Sequence, residues 1–305
     1  MIHVDPRDSS PHPSRTLVMG VVNVTPDSFS DGGRWLDPED AVDHARGLVD
    51  EGADIIDIGG ESTRPGSART PAAQEARRVL PAVEALAGSG LTISVDTMRA
   101  SVARAAIEAG ATIINDVSGG LADPSILGVV ADSEADYIAM HWRAHSATMQ
   151  SDRLTHYDDL VPDVIAELAD RVRAAERAGI PRHRIIVDPG IGFSKSGRQN
   201  WQLLQAIDTV QAAFPDLRVL WGVSRKGFLG SLLTDPDSGA DTGTSTGAGT
   251  RPPLGRDAAT QALTCWCAGH RAWAVRTHEV RGNRDACEVF ARLGEGAEVE
   301  VPEIG

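Results

Sequence analysis

The sequence predicts a single (β/α)8 TIM barrel, of class α/β, on three observations. Eight short apolar, β-branched runs alternate with stretches of helical periodicity along 305 residues. Nearly every run ends in a polar residue followed by a loop, the place where barrel and open α/β enzymes keep their chemistry. A strand-entry sequence also recurs. Gly52-Ala53-Asp54-Ile55-Ile56-Asp57 parallels Gly110-Ala111-Thr112-Ile113-Ile114-Asn115, 58 residues later, and each copy has a Gly-Gly pair downstream. Similar βα pieces of this kind suit a barrel better than a solenoid. A doubly wound open sheet is the alternative; eight strands with polar ends favour closure.

Residues 1–15 hold three prolines and read as a loose tail before a domain spanning 16–294. The first strand covers 17–22, with Asn23 at its junction to a loop reaching Asp37. That loop carries acids, hydroxyls and Phe29, and is too long and too equipped for a plain connection. Pro38 opens a helix over 39–50 with acids in its first turn, and Gly52 ends it. The second strand is 54–58, followed by Gly59-Gly60-Glu61-Ser62-Thr63-Arg64-Pro65-Gly66. A helix over 72–87 leads to a strand at 91–95 that ends in Asp96-Thr97. A helix over 99–109 stops at Gly110, and a strand at 112–114 ends in Asn115-Asp116. A short helix at 124–131 precedes the strand 136–140, which ends Met140-His141-Trp142-Arg143.

The second half repeats the pattern. A helix at 160–178 is followed by a strand at 184–187 that ends Asp188-Pro189-Gly190-Ile191-Gly192-Phe193. A helix over 200–212 leads to a strand at 218–221, and a further helix starts at Ser224-Arg225-Lys226. Residues 234–256 are mostly Gly, Thr, Asp and Pro with little that is apolar, and read as a flexible insertion. A helix at 256–269, a strand at 272–275 ending Arg276-Thr277-His278, and a helix at 280–292 complete the domain. An acidic tail occupies 295–305.

Bulk properties exclude several classes. Hydrophobic residues make up 41% of the chain, enough for a core, and only 4% are aromatic, as expected where aliphatic strands are covered by helices. The net charge of -14 leaves no global nucleic-acid footprint. An anionic substrate would therefore need a locally positive site. No run is long enough to span a membrane, and the first residues lack the apolar core of a signal peptide, so a cytoplasmic protein without membrane attachment is expected. Cys265 and Cys267 form C-x-C in a helical stretch, where i and i+2 do not share a face; with Cys287 they read as reduced thiols, not as a metal site. No G-x-G-x-x-G follows the first strand and no Walker lysine motif is present, so a dinucleotide or P-loop site is unsupported.

A barrel would bring the polar strand ends to one rim. Asp96, Asn115, Asp188 and Lys226 are donors and acceptors suited to a flat, polar heterocycle. Met140 and Arg276 suit its ring faces. Asn23, Thr63, Arg64, Arg276 and His278 suit a phosphate group and its divalent metal. Other residues have plainer readings: Asp57 as a brace at a strand end, Asp116 and Ser118 as caps of the next turn, and His141 as a packing histidine.

The runs MGVVNVTPDSFSDGG at 19–33, GADIIDIGGESTRPG at 52–66, ISVDT at 93–97, INDVSGG at 114–120, MHWR at 140–143, DPGIGFSK at 188–195, GVSRK at 222–226 and RTHEV at 276–280 occur together and in order. The set resembles the dihydropteroate synthases of the pterin-binding barrel family, and the longer MHWRA form at 140–144 is similar to actinobacterial members. The resemblance implies a transferase of folate biosynthesis. It would join (7,8-dihydropterin-6-yl)methyl diphosphate to 4-aminobenzoate, using Mg2+, as a homodimer and a sulfonamide target. By motif, Asp96, Asn115, Met140, Asp188, Lys226 and Arg276 would hold the pterin. Asn23, Thr63, Arg64, Arg276 and His278 would hold the diphosphate, with Asn23 on the metal. Phe29, Pro65, Phe193 and Ser224 would surround the 4-aminobenzoate. Asp31 would face developing positive charge, in a catalytic group with Lys226, Arg276 and His278. The loops 24–37 and 61–71 are expected to order around diphosphate and metal. A pterin-dependent methyltransferase and a non-catalytic pterin-binding barrel are the alternatives; the intact diphosphate and aminobenzoate motifs count against both. Gly227 stands where many members carry Ser, and Glu279 where Asp is common.

Overall fold

The computed structural model describes residues 5–6, 8–25, 38–62, 69–145, 151, 153–234 and 250–294. Eight parallel strands close into a barrel in chain order. They are β1 Leu17–Asn23, β2 Ile55–Gly59, β3 Thr92–Asp96, β4 Ile113–Asp116, β5 Asp136–Met140, β6 Ile185–Asp188, β7 Arg218–Trp221 and β8 Ala274–Thr277. The described helices are α1 Pro38–Asp50, α2 Ala72–Leu86, α3 Ala100–Glu108, α4 Ser125–Ala131, α5 Leu160–Arg177, α6 Gly197–Gln205, α7 Ile207–Ala213, α8 Gly227–Leu232, α9 Asp257–Gly269 and α10 Arg281–Gly294.

The strand period of two divides each strand between two environments. Val18, Val22, Ile56, Ile58, Ile93, Val95, Ile114, Val187 and Val275 face outward into the layer packed under the helices. Leu17, Met19, Ile55, Ile113, Ile138, Ile186, Leu220 and Ala274 pack together inside the barrel with Trp273. Two residues further along the same inward faces lie Asp57, Asn115, Met140, Asp188, Gly222 and Arg276; Asp96 follows the inward Ser94 on β3. The barrel interior is therefore apolar at its amino end and polar at its carboxyl end, with parity fixing which residues share it.

The recurring strand entry has a physical cause. Gly52 and Gly110 have φ of +104° and +113°, conformations open to glycine. Each reverses the chain after a helix, so that the next N–H (Ala53, Ala111) bonds back to Leu48 or Ala106 at 2.9 Å. The segment then enters an inner strand directly.

Four expectations need correction. The helix expected at 200–212 is two helices broken at Ala206, and the first begins earlier. Ser196 and Gln199 form a reciprocal capping box there. The eighth strand lies later than 272–275, so Arg276 is within β8 and not beyond it. The end of the expected insertion is structured: a 3-10 turn covers Pro253–Arg256, and Arg256 is buried. Arg15, placed in the tail, is buried and holds Asp54 through two bonds of 2.7 and 3.0 Å. The remaining insertion residues, 235–249, and the tail 295–305 lie outside the described residues.

Candidate active site at the carboxyl end of the barrel

A cavity of about 1300 Å³ opens at the carboxyl ends of the strands. Asn23, Asp96, Asn115, Met140, Asp188, Phe193, Ser224, Lys226, Arg276 and His278 all line it. These are the described members of the expected set, brought together from seven strands or their loops. Phe29, Asp31, Thr63, Arg64 and Pro65 lie outside the described residues, as does most of both loops.

A buried ionic web organises one side. Arg276 Nε donates to Asp57 Oδ2 at 2.6 Å, and its Nη2 donates to Asp96 Oδ2 at 3.1 Å. Asp57 also accepts from Ser94 Oγ at 2.6 Å and from Asn115 Nδ2 at 3.1 Å. Asp57 is fully buried and braces three neighbouring side chains, so the brace expected from sequence holds the site itself. Burial opposes the charge of Arg276, but Asp57 and Asp96 outweigh it and raise its pKa. Burial pushes Asp96 up to about 8 despite Arg276 beside it.

The opposite side is built on a glycine turn. Asp188 Oδ1 accepts from the Gly190 N–H at 2.7 Å. Gly190 has φ +69°, and a Cβ there would sit 2.4 Å from the His141 carbonyl oxygen. Gly192 has φ +85°, and the Lys226 stem packs where its Cβ would be. Lys226 Nζ then lies 4.6 Å from the Phe193 ring centre, a cation–π contact. Burial pushes Lys226 down to about 8, with Asp188 opposing. Burial raises Asp188, against the Gly190 N–H, Lys226, Lys195 and Arg276. Ser224 Oγ lies 2.9 Å from His278 Nδ1 and accepts the His278 N–H at 3.2 Å, which fixes the loop ends of β7 and β8 to each other.

The plainer readings of Asp116 and Ser118 hold. Asp116 accepts from Ser118, Gly120 and Tyr137 and closes its own turn. His141 is buried as expected, but it is bonded to Lys195 Nζ at 2.9 Å and Glu167 Oε2 at 3.0 Å. Sequence reasoning gave Lys195 no role, although it lies in a quoted motif and lines the cavity. The available signal was slight: a lysine in an otherwise small and apolar turn leaving a buried strand.

Asn23 is half-buried at the end of β1, and its side chain makes no hydrogen bond among the described residues. One neutral amide oxygen beside cationic side chains does not make a cation site by itself, so a divalent metal here would need a substrate phosphate for most of its binding.

The described helices include none long and apolar enough to cross a membrane. The family described as pterin binding enzymes matches residues 19–278. The chain is 47% identical to a dihydropteroate synthase of Mycobacterium leprae, over 93% of this chain and 95% of that protein. A Yersinia pestis dihydropteroate synthase structure in a sulfonamide drug complex superposes with a TM-score of 0.82 at 34% identity, covering 93% of this chain and 96% of that one. A Xanthomonas albilineans dihydropteroate synthase with 4-aminobenzoic acid gives 0.79 at 40% identity, over 93% and 96%. The chain belongs to the pterin-binding enzymes, among the dihydropteroate synthases.

Proposed function

We infer that this chain joins (7,8-dihydropterin-6-yl)methyl diphosphate to 4-aminobenzoate, releasing diphosphate and 7,8-dihydropteroate for folate synthesis. One observation carries this conclusion: a single rim combines Asp96, Asn115, Asp188 and Lys226 with Arg276 and His278, inside a chain of net charge -14. The acids and amide would hold the amino and N–H edge of the pterin, and Lys226 its carbonyl or ring nitrogen. Met140 and Arg276 would flank its faces.

The C–O bond to diphosphate breaks with its electron pair going to the leaving oxygen, and the arylamine lone pair forms the new C–N bond. The nitrogen then loses a proton. A neutral arylamine is nucleophilic without a strong base, so the protein's contribution is positioning and charge stabilisation. Arg276 and His278, with Thr63 and Arg64 by family resemblance, would neutralise the departing diphosphate. Asn23 would hold the Mg2+, which supplies further neutralisation when bound. Phe29, Pro65, Phe193 and Ser224 would surround the arylamine, and Asp31 would face the developing positive charge. A cytoplasmic homodimer inhibited by sulfonamides completes the proposal; its support is family membership, and the drug-bound Yersinia relative for the last point.

The test is product formation from the pterin diphosphate and labelled 4-aminobenzoate, with and without Mg2+. Metal-dependent 7,8-dihydropteroate is expected. A folded protein that binds pterin and makes no product would overturn the assignment.

A further inference from the structure

We propose that Lys195, held by His141 with Glu167 behind it, is a positioning residue for the pterin half of the site: it fixes the 188–193 turn so that the Asp188 carboxyl stays aimed into the cavity. This rests on the pterin assignment of Asp188 above.

Lys195 is buried, and all three donors of its ammonium are used. They reach His141 Nδ1 at 2.9 Å, the Gly190 carbonyl at 3.0 Å and the Phe193 carbonyl at 3.0 Å. The same turn presents the Asp188 carboxylate and the Phe193 ring to the cavity from its other side. Gly190 is the pivot: its N–H holds Asp188 and its carbonyl takes Lys195. Phe193 N–H also returns to the Gly190 carbonyl at 3.0 Å. An ammonium behind this turn therefore sets both cavity-facing groups at once.

The support for Lys195 runs outward to the surface. Glu167, on α5, accepts from Arg143 Nε at 3.0 Å, binds Arg143 Nη2 as well, and faces His141 Nε2 at 3.0 Å. A carboxylate at Nε2 and an ammonium at Nδ1 assign the proton of a neutral imidazole to Nε2. Burial first, then Lys195, pushes His141 down to about 4, so it stays neutral at working pH. Burial opposes ionisation of Glu167, but His141 and Arg143 hold it down at about 2.

A merely structural lysine could be an apolar side chain of the same shape, because burying an ammonium is costly. The retained charge has one evident beneficiary. Asp188 is raised by burial, and Lys195 is among the cations that oppose the rise. The groups facing Lys195 are Asp188 and Glu167, which favour its charge, and Arg143 and Lys226, which oppose it; burial outweighs them all and brings it down to about 7. The sign follows. As pH rises through that value Lys195 loses its proton, Asp188 loses a cation, and pterin affinity falls.

The experiment measures pterin binding by fluorescence titration, and both KM values, across pH for Lys195→Met and Glu167→Gln. For Lys195→Met at about pH 6, the pterin Kd and the KM for the pterin diphosphate should rise about tenfold, and the KM for 4-aminobenzoate, which Phe193 ties to the same turn, should rise less. Glu167→Gln removes an anion that favours the Lys195 charge, so the alkaline fall in pterin affinity should move to lower pH. A folded Lys195→Met with wild-type pterin affinity would overturn the proposal, as would an equal rise in both KM values. Should Lys195→Met fail to fold, the half-buried Glu167 decides: an unshifted pH profile in Glu167→Gln would overturn it. Wild-type turnover in the same assay keeps this outcome separate from failure of the proposed reaction.

Discussion

Asn115 Nδ2 donates to Asp57 Oδ2 at 3.1 Å, and the two residues hold the same place, 58 residues apart, in the repeated strand entry. They come from β2 and β4, and alternate strands of a barrel supply one layer of its interior. The repeat therefore builds a contact as well as a fold: one copy ends in the acceptor and the other in the donor. Asp57 also receives Ser94 and Arg276, so its carboxylate is the node of the layer.

Removing that node should be costly. Asp57→Ala would leave Arg276 without its nearest anion and two buried donors without an acceptor. Loss of one partner from a buried pair costs about 3–5 kcal/mol. Equilibrium urea unfolding should show a loss of this size, with a raised KM for the pterin diphosphate. A loss below about 1 kcal/mol would mean that Arg276 finds another partner.

Asp96 should bind its ligand with release of a proton. Its folded pKa is raised to about 8 by burial, so near pH 7 the free site is mostly protonated there. A pterin edge of amino and N–H donors favours the carboxylate and lowers that pKa, so Asp96 taken alone raises pterin affinity as pH climbs toward about 8, against the fall that Lys195 imposes above about pH 7. Linkage to folding has the opposite sign: the raised pKa adds stability that is full below the ordinary carboxylate value and is lost as pH rises through about 8. Calorimetry of pterin binding near pH 7, in buffers of different ionisation enthalpy, should report proton release that Asp96→Asn abolishes. Equal heats in all buffers would contradict an unusual Asp96.

The rim was legible because strands have a period of two. Once Ile55, Ile113, Ile138 and Ile186 are placed inward, Asp57, Asn115, Met140 and Asp188 must share their side, and no tertiary information is needed. The web that joins them was not legible. Arg276 and Asp57 are 219 residues apart, and their pairing depends on barrel closure. The two-residue displacement of β8 hid Arg276 beyond a strand end for the same reason: the strand is placed by its pairing with Leu220 and Trp221, not by its own apolar run. Lys195 was missed because its one side-chain partner, His141, arrives from the loop after β5, and nothing local distinguishes a clamped lysine from a solvated one. The break at Ala206 was missed because the apolar period continues across it.

Gly227 lines the cavity at the start of α8, and a Cβ built there meets nothing within 4 Å. The serine common at this place in the family is therefore sterically allowed. Gly227→Ser should leave stability within about 0.5 kcal/mol and the pterin KM unchanged. A hydroxyl next to Lys226 should lower the KM for 4-aminobenzoate by about two- to fivefold, the net worth of one hydrogen bond. Steady-state kinetics with both substrates would show this. A change confined to the pterin KM would place Gly227 on the wrong side of the cavity for the arylamine.

Asn23 offers a sharper separation of binding from metal chemistry. Its side chain contributes nothing to the ionic web, so Asn23→Ala should fold with wild-type stability and bind pterin lacking the diphosphate as tightly as before. Its half-activating Mg2+ concentration should rise about tenfold or more, because a small cation with few protein ligands depends on each of them. Removal of metal by a chelator should bring the wild type and the variant to the same low rate, since both then lack the charge that neutralises the leaving group. Mg2+ titrations of the two proteins at fixed substrate make the comparison. Coincident Mg2+ curves would show that the ion is held by substrate and solvent, and would move Asn23 from the metal to the diphosphate or to neither.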